Sequence, residues 1–165
     1  MIAVTGVGLW SPGYADLAAW CAGAAEEAVT LPRCDVANTR SKRGTSRIAR
    51  MLGEVIQQAA VAADVDLGAT PTVYASAWGE IDIMVGLLGQ MADGDEGLSP
   101  LRFKHSVHNA AGGLVSIATG NTGFSTSVAA GFRSFEMGLL ECAGLLESGA
   151  SDRVLFALGE DRLPE

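Results

Sequence analysis

The sequence is poor in the residues that most often form cross-links or hold metals. It has three cysteines and two histidines in 165 residues. Cys21, Cys34 and Cys142 are odd in number and match no zinc-ligand spacing, so we expect neither a disulfide framework nor a metal site built on them. The N-terminus has no basic stretch ahead of an apolar one and does not resemble a secretory signal. The expected setting is therefore the reducing cytoplasm.

Basic residues are also scarce, and the formal net charge of −8 argues against nucleic acid as a partner. Six of the eleven lie within residues 33–50: Arg33, Arg40, Lys42, Arg43, Arg47 and Arg50. One interpretation is that these are solvent-exposed side chains at the start of a helix. The other is a docking patch for an acidic partner.

Apolar residues and glycine are plentiful, at 48% and 21 residues respectively, which is enough for the core of one domain over residues 1–165. Residues 106–132 contain no Asp, Glu, Lys or Arg. They do contain Ser, Thr, Asn and several glycines, so this segment is predicted to be a buried part of the fold and not a membrane span.

Hydrophobic periodicity predicts strands that alternate with helices. The clearest helix starts at Ile48, has one apolar face, is capped by Thr45 or Ser46 and ends near Asp64. The predicted strands are 2–9, 72–76, 123–128 and 153–158, and the other predicted helices are 16–22, 80–91, 107–119 and 131–147. This alternation indicates an α/β layered fold with a mostly parallel sheet.

Two helices carry further expectations. In helix 80–91, five apolar side chains are expected to face inward: Ile83, Met84, Leu87, Leu88 and Met91. Helix 107–119 has almost no polar face and must be covered on all sides, which a small monomer does with difficulty. We therefore expect a partner subunit.

Three short patterns are weak indications of a nucleotide-binding, metal-binding or catalytic site. Residues 5–8 (TGVG) follow a predicted strand, but Ser11 replaces the third glycine of a dinucleotide fingerprint. His105 and His108 could join Glu80 or Asp82 at a metal, although hydrogen-bonded structural histidines are the alternative. Serines are numerous, but no G-x-S-x-G elbow is present.

Four segments, in order, resemble the N-terminal half of β-ketoacyl synthases. Residues 4–13 (VTGVGLWSPG) resemble the opening strand and turn of that family. Residues 106–114 (SVHNAAGGL) are similar to its buried helix beside the acyl pocket, especially in the synthase-like proteins of aryl-polyene-type clusters. Residues 120–131 (GNTGFSTSVAAG) resemble the nucleophile strand and turn, and residues 154–161 (VLFALGED) resemble the strand that closes the first half. The resemblance implies an α/β fold, half of a thiolase-like fold, with a mixed, mostly parallel sheet layered with helices.

Two departures from the family pattern carry the functional prediction. Thr126 and Ser127 match the T-A of the nucleophile motif, so Val128 occupies the position of the catalytic cysteine. The family needs a thiolate there, at a helix N-terminus, and valine cannot accept an acyl group. The two histidines of the family's second half also have no counterpart, since His105 and His108 fall in the wrong segment. We therefore predict no enzymatic activity and no cofactor, and we interpret Cys142 as an inert core thiol.

This combination resembles chain-length factors, which are ketosynthase-like proteins without the cysteine that pair with an active ketosynthase. The resemblance implies a truncated protein of this type in polyketide or fatty-acid-type biosynthesis. The predicted partner interface is the strand Phe124, Ser125, Thr126, Ser127 and Val128. Val107, His108 and Phe132 are predicted to line or plug the partner's acyl tunnel, or alternatively to be ordinary core.

Three other hypotheses remain open at this point. The first is a serine-dependent acyltransferase that uses Ser125 or Ser127. The second is a homodimeric scaffold that binds an acidic acyl carrier protein through residues 33–50, with Arg40, Arg43 and Arg47 as the predicted docking residues. The third is a fragment of a longer synthase-like protein.

Overall fold

The structure of the protein is a computed structural model, which describes residues 1–94 and 97–163. Its centre is a three-stranded parallel sheet with the order β2-β1-β3. The strands are β1 (Thr72–Ala75), β2 (Ser125–Val128) and β3 (Leu155–Leu158). The six α-helices are α1 (Leu17–Ala22), α2 (Arg47–Ala62), α3 (Ile81–Ala92), α4 (Pro100–Lys104), α5 (Ala110–Thr119) and α6 (Ser134–Glu147). In the described part of the chain, no helix is long and apolar enough to span a membrane.

The central strand β1 is buried at all four residues, and its burial follows from its neighbours. Thr72 is level with Ser125 of β2 on one side and with Leu155 of β3 on the other. A parallel strand flanked on both edges and covered on both faces is typically a short run of β-branched and aromatic residues, as residues 72–75 (TVYA) are.

Helices cover both faces of the sheet. Helix α2 packs against α5 and β3 on one face, and α6 packs against β1 and β3 on the other. Glycine allows the closest approaches: a Cβ on Gly138 of α6 would lie 2.4 Å from the Phe156 ring, and one on Gly112 of α5 would lie 3.2 Å from the Tyr74 ring. The main core cluster is formed by α2, α5, Tyr74 and the inward residues of β3.

Most of the predicted elements are confirmed. The Ser46 hydroxyl caps α2 by accepting a hydrogen bond from the Ala49 backbone N–H at 3.0 Å. The predicted helix 107–119 is confirmed as α5 but starts three residues later, at Ala110; the short helix α4, which lies before the predicted range, was not predicted. The predicted helix 131–147 begins with a 3-10 turn at Gly131–Arg133 before α6.

The prediction of a strand at residues 2–9 is wrong. The segment is not part of the sheet, because no neighbouring strand lies beside it in the described residues. It lies instead against α2, where a Cβ on Gly6 would meet the Ala59 carbonyl oxygen at 2.6 Å. At its end, the Leu9 N–H donates to Gln58 Oε1 at 3.0 Å.

The apolar faces of two helices are less covered than predicted. Of the five residues expected to face inward on α3, only Leu87 is buried, while Met84, Leu88 and Met91 are exposed. Helix α5 buries Leu114 and Val115, but Ile117 remains 70% exposed. The single chain therefore lacks the complete cover that the apolar segment was expected to need.

Candidate functional site

The carboxyl ends of the three parallel strands meet at one edge of the sheet. The Ser76 N–H, just after β1, donates to the Val128 carbonyl oxygen at 3.2 Å. The Gly159 N–H, just after β3, donates to the Ala75 carbonyl oxygen at 3.2 Å. In open α/β sheets this edge is where ligand-binding and catalytic groups collect.

The turn from β2 into α6 is held by Ser134. The Ala130 N–H donates to Ser134 Oγ at 3.1 Å, and that hydroxyl donates to the Gly131 carbonyl oxygen at 2.7 Å. Gly131 has φ +57°, a conformation that favours glycine. The turn thus presents the half-buried Val128 at the strand end, and the hydrocarbon side chain there offers no nucleophilic atom.

The surroundings of the cysteine and serines near this turn differ from those of Val128. Cys142 is buried on α6, and burial, followed by the charge of Glu141, raises the pKa of its thiol to about 11, so the thiol is neutral at physiological pH. Ser125 Oγ accepts a hydrogen bond from Thr72 Oγ1 at 3.0 Å. The hydrogen bonds of the described residues pair neither Ser125 nor Ser127 with a histidine.

Glu160 and His108 fix the loop that follows β1. The Glu160 carboxylate accepts hydrogen bonds from the Ser76 hydroxyl at 3.0 Å and from the backbone N–H groups of Ala77 and Trp78. The Nε2 of His108 is 2.8 Å from the Ser76 carbonyl oxygen, so this nitrogen acts as the donor. His108 is therefore engaged with the backbone, and the described residues contain no cluster of three or more potential metal ligands.

Glu80 is a buried carboxyl beside this loop. Its Oε1 accepts a hydrogen bond from the Ser46 hydroxyl at 2.8 Å, and its Oε2 has no hydrogen-bond partner among the described residues. Burial raises the pKa of Glu80 to about 7; the Ser46 hydrogen bond opposes the shift, and the charges of Asp161 and Asp82 add to it.

The basic segment divides between two environments. Arg47 pairs with Asp161 at 3.2 Å and lies over the Trp10 ring at 5.5 Å, so it is engaged within the fold. Arg40 and Arg43 are exposed and line a cavity of about 370 Å³ together with Val107. The same cavity is lined by Lys104 and His105 among polar groups and by Leu101, Leu114 and Ile117 among apolar ones.

The three residues predicted to act as a tunnel wall lie in different places. Val107 lines the cavity just described, whereas the next residue, His108, turns to the Ser76 carbonyl. Phe132 is fully exposed on the 3-10 turn after Val128. Phe132 and Val107 are thus accessible to a neighbouring molecule, whereas the His108 side chain is hydrogen-bonded to the loop after β1.

These features match one protein family. The profile described as "Beta-ketoacyl synthase, N-terminal domain" matches residues 18–165, which is most of the chain. The chain belongs to the β-ketoacyl synthase N-terminal-domain family. No curated protein sequence is similar to it.

Solved ketosynthase structures share this fold. A chain of the complex of the ketosynthase ApeO with its chain length factor ApeC from Xenorhabdus doucetiae is 27% identical with a TM-score of 0.78, and the match covers 96% of this chain and 66% of that one. The ishigamide ketosynthase/chain length factor is 17% identical with a TM-score of 0.76, covering 97% and 52%. The AntDE:AntF complex of a type II carrier protein with its ketosynthase is 17% identical with a TM-score of 0.73, covering 96% and 51%. This family member therefore spans about half to two thirds of the length of those chains.

Sequence reasoning missed the groups that hold the site together. Glu160 was noted only as part of a closing-strand pattern, and its bonds to Ser76 and Trp78 join residues more than 80 positions apart. The hydrogen bond between Ser46 and Glu80 was also not predicted from the sequence, although Ser46 was one of the two residues expected to cap the helix. The one available signal was the position of both carboxylates directly after a strand or its loop, at the edge where parallel strands end.

Replacing Glu80 by glutamine should change how stability depends on pH. The folded chain keeps a proton on Glu80 up to about pH 7, whereas the unfolded chain loses it near 4.5, so the free energy of unfolding falls as pH rises through this window. In Glu80→Gln this decrease should disappear, which makes the variant more stable than wild type by up to about 3 kcal/mol at pH 8 and nearly equal to it at pH 4.5. Urea unfolding at several pH values measures the difference.

Glu136→Gln is the matched control, because Glu136 is exposed on α6. Its unfolding free energy should follow the wild-type pH profile. A difference between Glu80→Gln and wild type that stays constant from pH 4.5 to 8 would contradict the raised pKa.

Proposed function

We propose that this protein is a non-catalytic, chain-length-factor-like partner of an active ketosynthase in polyketide or fatty-acid-type biosynthesis. The observation that carries the proposal is Val128, which stands at the end of β2 on an intact strand–turn–helix. A condensing enzyme needs a thiolate at such a position, and valine leaves the geometry without the chemistry. The role needs no cofactor.

The free edge of β2 supports pairing with a second strand. Phe124 and Val128 turn their carbonyl groups toward β1, where Thr72 and Ser76 donate to them. Because backbone groups alternate along a strand, the N–H and C=O groups of Ser125 and Ser127 face away from β1. An exposed row of this kind, with small side chains, suits strand pairing across a subunit interface.

Exposed apolar side chains near β2 supply the rest of the interface in this proposal. Phe124, which directly precedes β2, is 45% exposed, and Phe132, on the 3-10 turn after β2, is fully exposed. A cluster of large apolar groups around a free strand edge is typical of a surface that is covered in a complex. The structures of ketosynthase complexes with chain length factors make a ketosynthase the partner of choice.

Ser127→Pro should abolish pairing with the partner ketosynthase. Proline removes the outward-facing N–H of residue 127 but leaves the hydrogen bonds of Phe124 and Val128 to β1 in place. Co-expression with the candidate ketosynthase, followed by size-exclusion chromatography, should show a complex for wild type and separate subunits for the variant.

Ser127→Ala is the control, since it removes the hydroxyl and keeps the backbone N–H, and it should form the complex. Circular dichroism establishes that both variants are folded. The interface proposal fails if folded Ser127→Pro binds the ketosynthase as tightly as Ser127→Ala does.

Phe132→Ala and Val107→Phe should change the length of the product made by the complex. In the proposal both residues border the partner's acyl tunnel, so the smaller side chain lengthens the product and the larger one shortens it. Mass spectrometry of the products reports the chain length. Phe103→Ala, another exposed aromatic, is the control and should leave the product as it is. Unchanged products from both tunnel variants would remove the tunnel role and leave the pairing role untouched.

A second candidate function, docking of an acyl carrier protein, is favoured by the cavity beside Arg40 and Arg43. Its lining combines three cations, the third being Lys104, with the apolar side chains of Leu101, Val107 and Ile117. Such a site complements an acidic protein that carries an apolar chain. This role is compatible with a subunit that pairs with a ketosynthase.

The double variant Arg40→Glu, Arg43→Glu should weaken binding of an acyl carrier protein by about tenfold or more at low salt, because like charges then face each other. Isothermal titration or surface plasmon resonance measures the affinity. The control is Arg33→Glu, Arg153→Glu, which makes the same change in net charge at exposed positions that do not line the cavity. Equal losses in the two double variants would mean that only net charge matters and that no docking site lies here.

A further inference from the structure

Glu80 lies where the starts of two helices meet. It directly precedes α3, and its Oε1 accepts a hydrogen bond from the hydroxyl of Ser46, which directly precedes α2. The Ser46 hydroxyl oxygen also accepts the hydrogen bond from the Ala49 N–H, so this residue caps α2 and holds Glu80 at the same time. The contact between Ser46 and Glu80 therefore ties the start of α3 to the start of α2.

The surroundings of Glu80 suit a neutral carboxyl group and not a carboxylate. The residue is only 5% exposed, and its Oε2 has no hydrogen-bond partner among the described residues. A small cavity of about 20 Å³ beside it is also lined by Asp82 of α3, Asp161 after β3 and Arg47 of α2. The Arg47 guanidinium is paired with Asp161 at 3.2 Å. A negative charge on Glu80 would thus be buried beside two other carboxylates, with the neighbouring cation already engaged.

Helix α3 is less firmly packed than α2. Seven residues of α2 are buried, whereas Leu87 is the only buried residue of α3, which lies wholly within the described part of the chain. The main neighbour of α3 is the short helix α4, where Arg102 Nη2 would lie 2.4 Å from a Cβ on Gly86. Because less apolar area holds α3 in place, loss of the contact at Glu80 would loosen α3 before α2.

The chain before Glu80 is fixed, so a movement of α3 would begin at Glu80 itself. The Gly79 N–H donates to Ser76 Oγ at 2.8 Å, and a Cβ on Gly79 would lie 2.7 Å from the His108 ring. Glu80 is the N-cap residue of α3, but its side chain makes no capping hydrogen bond to that helix. The first N–H groups of α3 have no partners within the helix, and a helix N-terminus stabilises negative charge. A carboxylate that leaves Ser46 therefore has a favourable position close by.

We propose that Glu80 is a proton-controlled latch between α2 and α3. When its carboxyl group is neutral, it stays buried against Ser46 and fixes the start of α3. When it ionises, the position beside Asp82 and Asp161 becomes unfavourable, and the carboxylate moves toward water and the N-terminus of its own helix. This movement releases the start of α3. The latch acts within the chain and is independent of the ketosynthase partner proposed above.

The direction of the pH dependence follows from the two positions of the carboxyl group. Burial, opposed by the Ser46 hydrogen bond and reinforced by the charges of Asp161 and Asp82, raises the pKa of Glu80 to about 7 in the latched state, whereas an exposed glutamate ionises near 4.5. Opening therefore releases a proton, and the open population grows as pH rises through this window. From pH 6 to pH 8 the ratio of open to latched molecules should increase about tenfold.

Hydrogen exchange of the wild-type chain measures this opening. The amides of Met84 and Val85, in the first turns of α3, should be less protected than that of Ile56 in α2. After correction for the intrinsic exchange rate at each pH, their protection factors should fall about tenfold from pH 6 to pH 8. They should hardly change on addition of about 1 M urea, because a local opening exposes little surface.

Two variants assign the effect to Glu80. Glu80→Gln keeps a neutral side chain in place, so the protection factors of Met84 and Val85 should be equal at pH 6 and pH 8. Glu136→Gln, at an exposed position on α6, is the control and should keep the wild-type fall.

Two results would overturn the proposal. The first is a fall in protection that persists in Glu80→Gln, because another group would then control α3. The second is protection of Met84 and Val85 that equals that of Ile56 and decreases with urea in parallel with it. In that case α3 would open only when the whole chain unfolds, even if the pKa of Glu80 is raised.

Discussion

The pairing of β1 with strands on both sides is the constraint on which the rest of the structure depends. Its four residues are buried, and the hydrogen bonds to Phe124 and Val128 on one side and to Leu155 and Gly159 on the other set the register of the whole sheet. That register places the ends of the three strands level with one another. The loop after β1, the turn after β2 and Glu160 after β3 meet at one edge for this reason alone.

The two outer edges of the sheet differ in their surroundings. The β2 edge carries small hydroxyl side chains, Ser125 and Ser127, with aromatic groups around it. Another subunit can approach such an edge closely. The β3 edge lies between α2 and α6, whose apolar residues line the cavity beside it. Of the two, the β2 edge is the one suited to the interface between subunits that is proposed above.

The sequence predicted the elements whose signal is local. The period of α2 and its cap, expected at Thr45 or Ser46, depend on residues a few positions apart, and the structure confirms the helix with Ser46 as the cap. The failures depend on neighbours far along the chain. Residues 2–9 have the composition of a strand, but strand pairing requires a partner edge, which the described part of the chain does not place beside them. The apolar residues of α3 predicted an inward face, yet periodicity reports only that side chains are apolar and not whether the same chain covers them.

The same limit applies to the candidate site, where the position of Val128 was predictable from the order of motifs and the supporting groups were not. Those groups show how the turn keeps its shape with a valine at position 128. Ser134 holds the turn through the Ala130 N–H and the Gly131 carbonyl, and Glu160 holds the neighbouring loop through Ser76. None of these bonds uses the side chain of residue 128, so a change there alters the chemistry and leaves the hydrogen bonds intact. In the proposed role, a fold stabilised in this way would serve as a structural partner with valine at this position, because the proposal requires only its shape.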